Sequence, residues 1–271
     1  MEVHPPEHPI LTWKQFLVHM STVCLGLLIA IGLDQAVEFA HHRHQRHQLE
    51  ADLRAEGIRN LHNAIIALEF SDWMTHWQAQ QAQELDRAAA QGRTPAYIQS
   101  PPKRTPPFSR PSDAVWTVAQ TSTTLDLLPR AEAERYAHHY FDVHMATEQL
   151  ERLNEVGQER EAVLDAAAVD PPTGPLARHV NATYDLSRLS KEQLARFRDI
   201  TGDYIVAARS EAAYTLTMYA LTWGTLNGYS DNENTARRSE LNAAYFHGGT
   251  PELLKKFPIP DENTASSTED N

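Results

Sequence analysis

From Gln15 to Leu33 the chain reads QFLVHMSTVCLGLLIAIGL, an unbroken apolar run with no formal charge. At about 1.5 Å per helical residue it matches the ~30 Å hydrocarbon core of a bilayer. Trp13 and Lys14 stand just before it, an aromatic ring and a snorkelling cation of the kind that anchors at headgroup level. His19 follows within about a turn, and Asp34, Gln35 and Glu38 mark the other end. The run exceeds a signal-peptide core, and no small-x-small cleavage site follows, so the pattern predicts an uncleaved transmembrane helix.

Beyond the run the apolar period stays helical. Leu49, Leu53, Ile58, Leu61, Ile65 and Leu68 recur at spacings of three to five, with Trp73 and Trp77 continuing the face. Anchor and segment read as one long helix, interrupted if anywhere near Gly57, and ending around Gly92, where a proline-rich stretch begins. A short helix with Ser112 as N-cap holds Val115, Trp116 and Val118. Another starts at Pro129 and runs to about Val169, its stripe formed by Tyr136, Tyr140, Val143, Thr147, Leu150, Leu153 and Val156.

Ser190 and Gln193 form a capping box opening a further long helix, with Ile205, Ala208, Ala212, Leu216, Tyr219, Trp223 and Leu226 on one face. Its uncharged part, Ala212 to Tyr229, is diluted by Thr215, Thr217, Thr222, Thr225 and Asn227, so it reads as a buried bundle helix rather than a second span. A last short helix is expected at Ser239 to Phe246. The fold class is therefore all-α: a transmembrane helix continuing into a long helix that packs in an antiparallel, coiled-coil-like bundle. The expected organisation is a tail at 1–14, an anchor at 15–36, a helical soluble domain at 37–258 with a loop at 93–111, and a disordered acidic tail at 259–271.

Composition narrows the function. With 271 residues and a formal net charge of −12, the chain lacks the cationic excess that binding phosphate backbones needs, and no nucleic-acid partner is expected. Cys24 is the one cysteine, inside the apolar run, which excludes an intrachain disulfide and a Cys-x-x-Cys site. Within the anchor, Thr22, Gly26 and Ala30 follow one another at i, i+4 and i+8, a small-residue stripe that suits homodimerisation between helices.

The densest local signal is the run His41, His42, Arg43, His44, Arg46 and His47 just past the anchor. Glu38 and His41 form a Glu-x-x-His pair, but a di-iron bundle needs a second such pair and two further inward carboxylates, and the chain has no second copy. The run reads as a juxtamembrane interface with the lipid bilayer, more cationic as pH falls through the histidine range. His138, His139, Asp142 and His144 form a second cluster that reads as solvent-facing, as does the pair Asp72 and His76. Trp73, Trp77, Trp116 and Trp223 read as packing residues before they read as a ligand pocket. No phosphate loop, dinucleotide fingerprint, nucleophile elbow or zinc helix is present, so no catalytic activity, metal or cofactor is predicted.

The stretch GLLIAIGLDQAVEFAHHRHQ, followed by LEADLRAEGIRN, resembles the N-terminal region of an uncharacterised family of single-pass bacterial membrane proteins. The matching positions are Gly26 to Ile31, Gln35, Glu38, Phe39, His41 to His44, and Arg54 to Asn60, with Gly57 departing from the pattern. Val115 to Tyr140 is similar to a second stretch of such proteins. The resemblance implies a domain outside the cytoplasm and no activity. Arg43, Arg46 and Arg54 point the other way under the positive-inside rule. The expectation is a membrane-tethered helical interaction or scaffold protein; the rivals are a ligand-sensing bundle and a metal-dependent helical enzyme.

Overall fold

A computed structural model describes residues 13–93, 97–99, 110–169 and 183–261. Helix α1, Trp13–Ala90, is continuous over 78 residues, or about 117 Å. Every residue from Trp13 to His44 is exposed, whereas Leu49, Leu53, Ile58, Leu61, Ile65 and Leu68 are all buried. One helix thus does two jobs: a bare stalk, then one wall of a bundle. Gly57 does not interrupt it. A Cβ there would meet the Leu226 side chain at 3.1 Å, so the glycine serves close helix packing rather than a break.

Helix α2, Ala114–Thr121, and a 3-10 turn at Thr124–Leu127 lie on α1 near the stalk. Helix α3, Arg130–Asp165, climbs from there to the far end, and α4, Lys191–Leu226, returns antiparallel, packing along both α3 and α1. Ser190 Oγ accepts the Gln193 amide at 3.2 Å while Gln193 Oε1 accepts the Ser190 N–H at 2.9 Å, the expected capping box of α4.

At the far end, β1, Tyr97–Gln99, pairs antiparallel with β2, Thr183–Asp185, placing Ile98 opposite Tyr184. The stretch expected as a plain loop at 93–111 therefore contributes a strand; 94–96 and 100–109 lie outside the described residues, as does most of the expected tail at 259–271. The domain is all-α apart from this two-stranded ribbon.

The last helix is longer than expected. α5 runs Asp231–Lys256 because Ser230 and Glu233 form a second capping box, and Gly249 breaks it internally with φ 65°. That reversal brings Phe257 and Pro258 back onto α4, where their carbonyls accept Tyr219 Oη at 2.7 Å and Trp223 Nε1 at 2.8 Å. Ala212 to Tyr229 is accordingly an interior segment of the bundle, and one helix among the described residues, α1, is long and apolar enough to cross a membrane.

The apolar interior has three parts. The largest lies near the stalk around Leu61, Tyr140, Leu216 and Tyr219; the smallest sits mid-bundle on Leu153 and Tyr204; the third, around Leu85, Leu164, Leu186 and Phe197, closes the far end.

Candidate membrane anchor and juxtamembrane groove

The exposed part of α1 carries the sequence-predicted anchor residues. Trp13 is 73% exposed and stacks on Phe16 with ring centroids 5.3 Å apart, beside Lys14. Thr22 Oγ1 donates to the Val18 carbonyl at 2.9 Å, which satisfies its hydroxyl inside its own helix. A Cβ at Gly26 would meet nothing within 4 Å, and Ala30 is exposed, so the Thr22, Gly26 and Ala30 stripe is open along its length.

On a 3.6-residue helix this stripe continues through Leu33, Val37 and Ala40 to His44, all exposed. The small and apolar face therefore does not stop where the apolar run stops. It reaches the bundle.

The histidine run divides there. His41, His42, Arg43 and His44 are exposed. Arg46 and His47 instead belong to the rim of the bundle: Arg46 Nε lies 2.6 Å from Glu50 and its Nη2 3.7 Å from Glu132, while His47 Nδ1 lies 3.4 Å from Glu50. Burial, and then the neighbouring Glu50 charge, hold the Glu132 carboxyl above its usual range. The tail end of the run is thus tied to protein carboxylates.

His44 also opens a groove of about 480 Å³ between α1 and α2, floored by Leu49 and Val115 and edged by Gln48, Asp52 and Val118. Val118 is 63% exposed on its lip. What seats α2 against α1, and so forms this groove, is a buried polar cluster that the sequence pattern did not single out.

Glu56, fully buried, accepts the Ser112 hydroxyl at 2.6 Å and the Val115 amide at 3.2 Å on Oε1, and the Tyr140 hydroxyl at 2.6 Å on Oε2. One turn on, Asn60 clamps the Ser112 backbone, donating to its carbonyl and accepting its amide, both at 2.8 Å. Ser112 is therefore not the N-cap of α2. Asp113 occupies that position and makes no side-chain cap, and the carboxylate of Glu56 supplies the missing acceptor from another helix. Trp116 stacks on Tyr140 above it, centroids 5.1 Å apart.

The second histidine cluster disperses. His139 is buried, not solvent-facing, and bonds Thr222; His144 faces outward to Glu148 at 3.2 Å; Asp142 is half-buried. Asp72 takes the Tyr245 hydroxyl at 2.7 Å, while His76 bonds Gln80. The tryptophans also part company: Trp73 lies beside Phe70, Trp77 under Arg160, Trp116 on Tyr140, and Trp223 between Tyr229 and Phe257. Among the described residues no group of three His, Cys, Asp or Glu side chains is placed to hold a metal.

A signal for the overlooked polar residues did exist. Glu56 and Asn60 stand in register with Leu49 and Leu53, and Arg160 in register with Leu153 and Leu164, at three-to-four spacing on faces that are otherwise apolar. A polar residue on a core stripe needs an assigned partner. Compared with protein-family models, with curated proteins and with solved structures, the chain finds no match in any of the three.

Proposed function

We propose that this protein is a single-pass, membrane-tethered interaction module of the bacterial inner membrane, which self-associates along α1 and presents its helical bundle to a protein partner. The supporting observation is the uninterrupted helix: residues 13–44 are wholly exposed, and their small and apolar face runs from Thr22 through Ala40. Exposed apolar surface of this extent is stable in lipid and costly in water.

In this reading Leu33 ends the hydrocarbon span. The headgroup layer, roughly 5–7 Å on each side, takes Val37 and Glu38 at its outer edge. His41 stands roughly 12 Å and His47 roughly 21 Å past Leu33 along a rigid helix. An upright α1 therefore carries the histidine run just above the headgroups, within about a Debye length of them at its near end, rather than among them.

Self-association makes a periodic prediction. In a Cys24→Ser background, Val37→Cys and Ala40→Cys are expected to give strong disulfide-linked dimers in membranes. Phe39→Cys, about 100° round the helix from Ala40, is expected to give weak ones. Gly26→Leu should reduce cross-linking at both strong positions. Equal cross-linking at all three sites, or none at any, removes the dimer from the proposal; release of the intact chain by alkaline carbonate removes the anchor itself.

The bundle is assigned to the outside of the cytoplasm, following the resemblance of the anchor region to single-pass bacterial proteins. Alkaline phosphatase fused after Asn271 is then active, and a fluorescent protein at the same point is dark. The reverse pattern puts the bundle inside, as the three arginines after the anchor would have it.

A further inference from the structure

The alternating spacing of four and three along the exposed face of α1 does not end with the apolar residues. Leu33, Val37 and Ala40 are followed at the same period by His44, His47 and Ala51. Such a repeat is the seam of a parallel two-helix coiled coil, in which each position meets its own copy across the axis. Leu53, about 180° round the helix from His44, is fully buried, so the seam looks away from the bundle core.

The two histidines are placed to share a cation. They stand about 4.5 Å apart along the axis on one face of the helix. His44 is exposed, and the His47 side chain is 42% exposed. His47 Nδ1 lies 3.4 Å from Glu50 Oε2, and Nε2 accepts from Arg43 Nε at 3.4 Å, so the ring is the Nδ1–H tautomer with its lone pair on Nε2. A carboxylate behind one ring nitrogen and a lone pair on the other is the orientation of a metal-ligating imidazole. The Arg43 bond is long and comes from an exposed side chain, so an arriving cation displaces it. One chain brings too few ligands: among the described residues no three His, Cys, Asp or Glu side chains converge, and zinc takes four.

Resting on the α1 dimer proposed above, we infer that two copies of the chain bind one zinc-like divalent transition-metal ion between them, with His44 and His47 of each copy as its four ligands. Imidazole suits zinc, nickel and copper. The small residues below the pair let the helix axes approach to about 8–10 Å, a gap that facing imidazoles bridge through an ion with Zn–N distances of about 2.0–2.1 Å. On an upright α1 the site stands roughly 16–21 Å past Leu33, in water and open to the ion. Metal then controls pairing, because an ion that binds only the dimer strengthens the dimer.

The test uses the untagged full chain in mild detergent, stripped of metal with a chelator. Zn2+ is titrated against a chromophoric chelator, and dimer content is followed by sedimentation. The expected result is one ion per two chains, with the dimer dissociation constant falling by about tenfold or more at saturation. His44→Gln and His47→Gln are each expected to lose both stoichiometric binding and metal-driven pairing. His42→Gln, about 160° round the helix from His44, is expected to keep both.

One ion per chain with no change in dimer content overturns the site, as does binding that survives in His44→Gln or is lost in His42→Gln. If Val37→Cys chains cross-link and no Zn2+ binds, the metal site fails while the dimer stands. If they do not cross-link and Zn2+ leaves the chain monomeric, dimer and site fail together.

Discussion

Replacing Glu56 by alanine is expected to lower the unfolding free energy of the bundle by about 3–5 kcal/mol. The side chain is fully buried and accepts three hydrogen bonds, so its removal orphans the Ser112 hydroxyl, the Val115 amide and the Tyr140 hydroxyl together. Each buried donor without an acceptor costs about 1–3 kcal/mol, and the cavity adds to it. The loss falls on a helix that cannot stand alone. α2 has eight residues and no side-chain cap of its own, which puts it well below the length at which an isolated helix is stable.

Glu56→Gln separates geometry from charge. It keeps the volume and one carbonyl acceptor, and its amide can donate to the Tyr140 oxygen, so a loss of about 1–2 kcal/mol is expected. The measurement is urea unfolding of the full chain in mild detergent, followed by the near-ultraviolet signal of Trp116 on its Tyr140 stack. If Glu56→Ala unfolds within about 1 kcal/mol of wild type, the cluster is not what holds α2, and the groove beside it has another cause. A Glu56→Gln loss equal to that of Glu56→Ala would mean that the charge, rather than the acceptor geometry, seats the helix.

The parts of this architecture that were legible in the sequence are those set by local chemistry. The end of α1 at Ala90 follows from Gly92 and the prolines after it, and the start of α4 from the Ser190 and Gln193 box. The apolar stripe from Leu49 to Leu68 pointed inward as its period required. Gly57 was misread as a possible break because its role is non-local: Leu226, far along the chain, fills the space a side chain would take. α5 was read too short for a different reason. Its box at Ser230 and Glu233 has the same form as that of α4, but its apolar residues, Leu241, Tyr245 and Leu253, are sparse, and Gly249 breaks their period. A three-residue strand such as β1 carries too little alternation to show at all.

The candidate sites divide along the same line. The anchor stripe is a property of one helix and could be read directly. The Glu56 cluster joins α1, α2 and α3, and Arg160 joins α1, α3 and α4 through the Trp77 and Phe197 rings, so their meaning depends on which partners the fold delivers. His139 shows how far this goes. Beside His138, with Asp142 and His144 following, it reads as one of an exposed set, yet α3 turns it alone into the interior.

That placement makes His139 a group that weakens the bundle in acid. Burial pushes the His139 pKa down from 6.5 to about 3. The hydrogen bonding explains why no proton is welcome. Thr222 Oγ1 gives its hydroxyl proton to the Met218 carbonyl at 2.7 Å, so at 3.0 Å it accepts from His139 Nδ1, and the ring is the Nδ1–H tautomer. Nε2 is buried with no hydrogen-bond partner among the described residues, and a second proton would have to sit there without an acceptor.

Because the folded value lies below the unfolded one, the unfolded chain takes up a proton that the folded chain refuses. The His139 contribution to stability is therefore complete above pH 6.5 and is lost as pH drops towards 3, by about 2 kcal/mol between pH 6.5 and 4.5. Glu211 works in the opposite sense. Burial raises its carboxyl pKa, so the folded state protonates first and gains stability on acidification. The His139 effect is thus isolated as a difference between wild type and His139→Asn, which keeps an amide donor for Thr222 and cannot titrate. The variant pays a cavity cost at every pH, but its pH slope should be shallower than that of wild type by close to 1.4 kcal/mol per unit below pH 6. Parallel curves for the two proteins would show that the ring takes its proton in the folded state, and would put His139 at the surface.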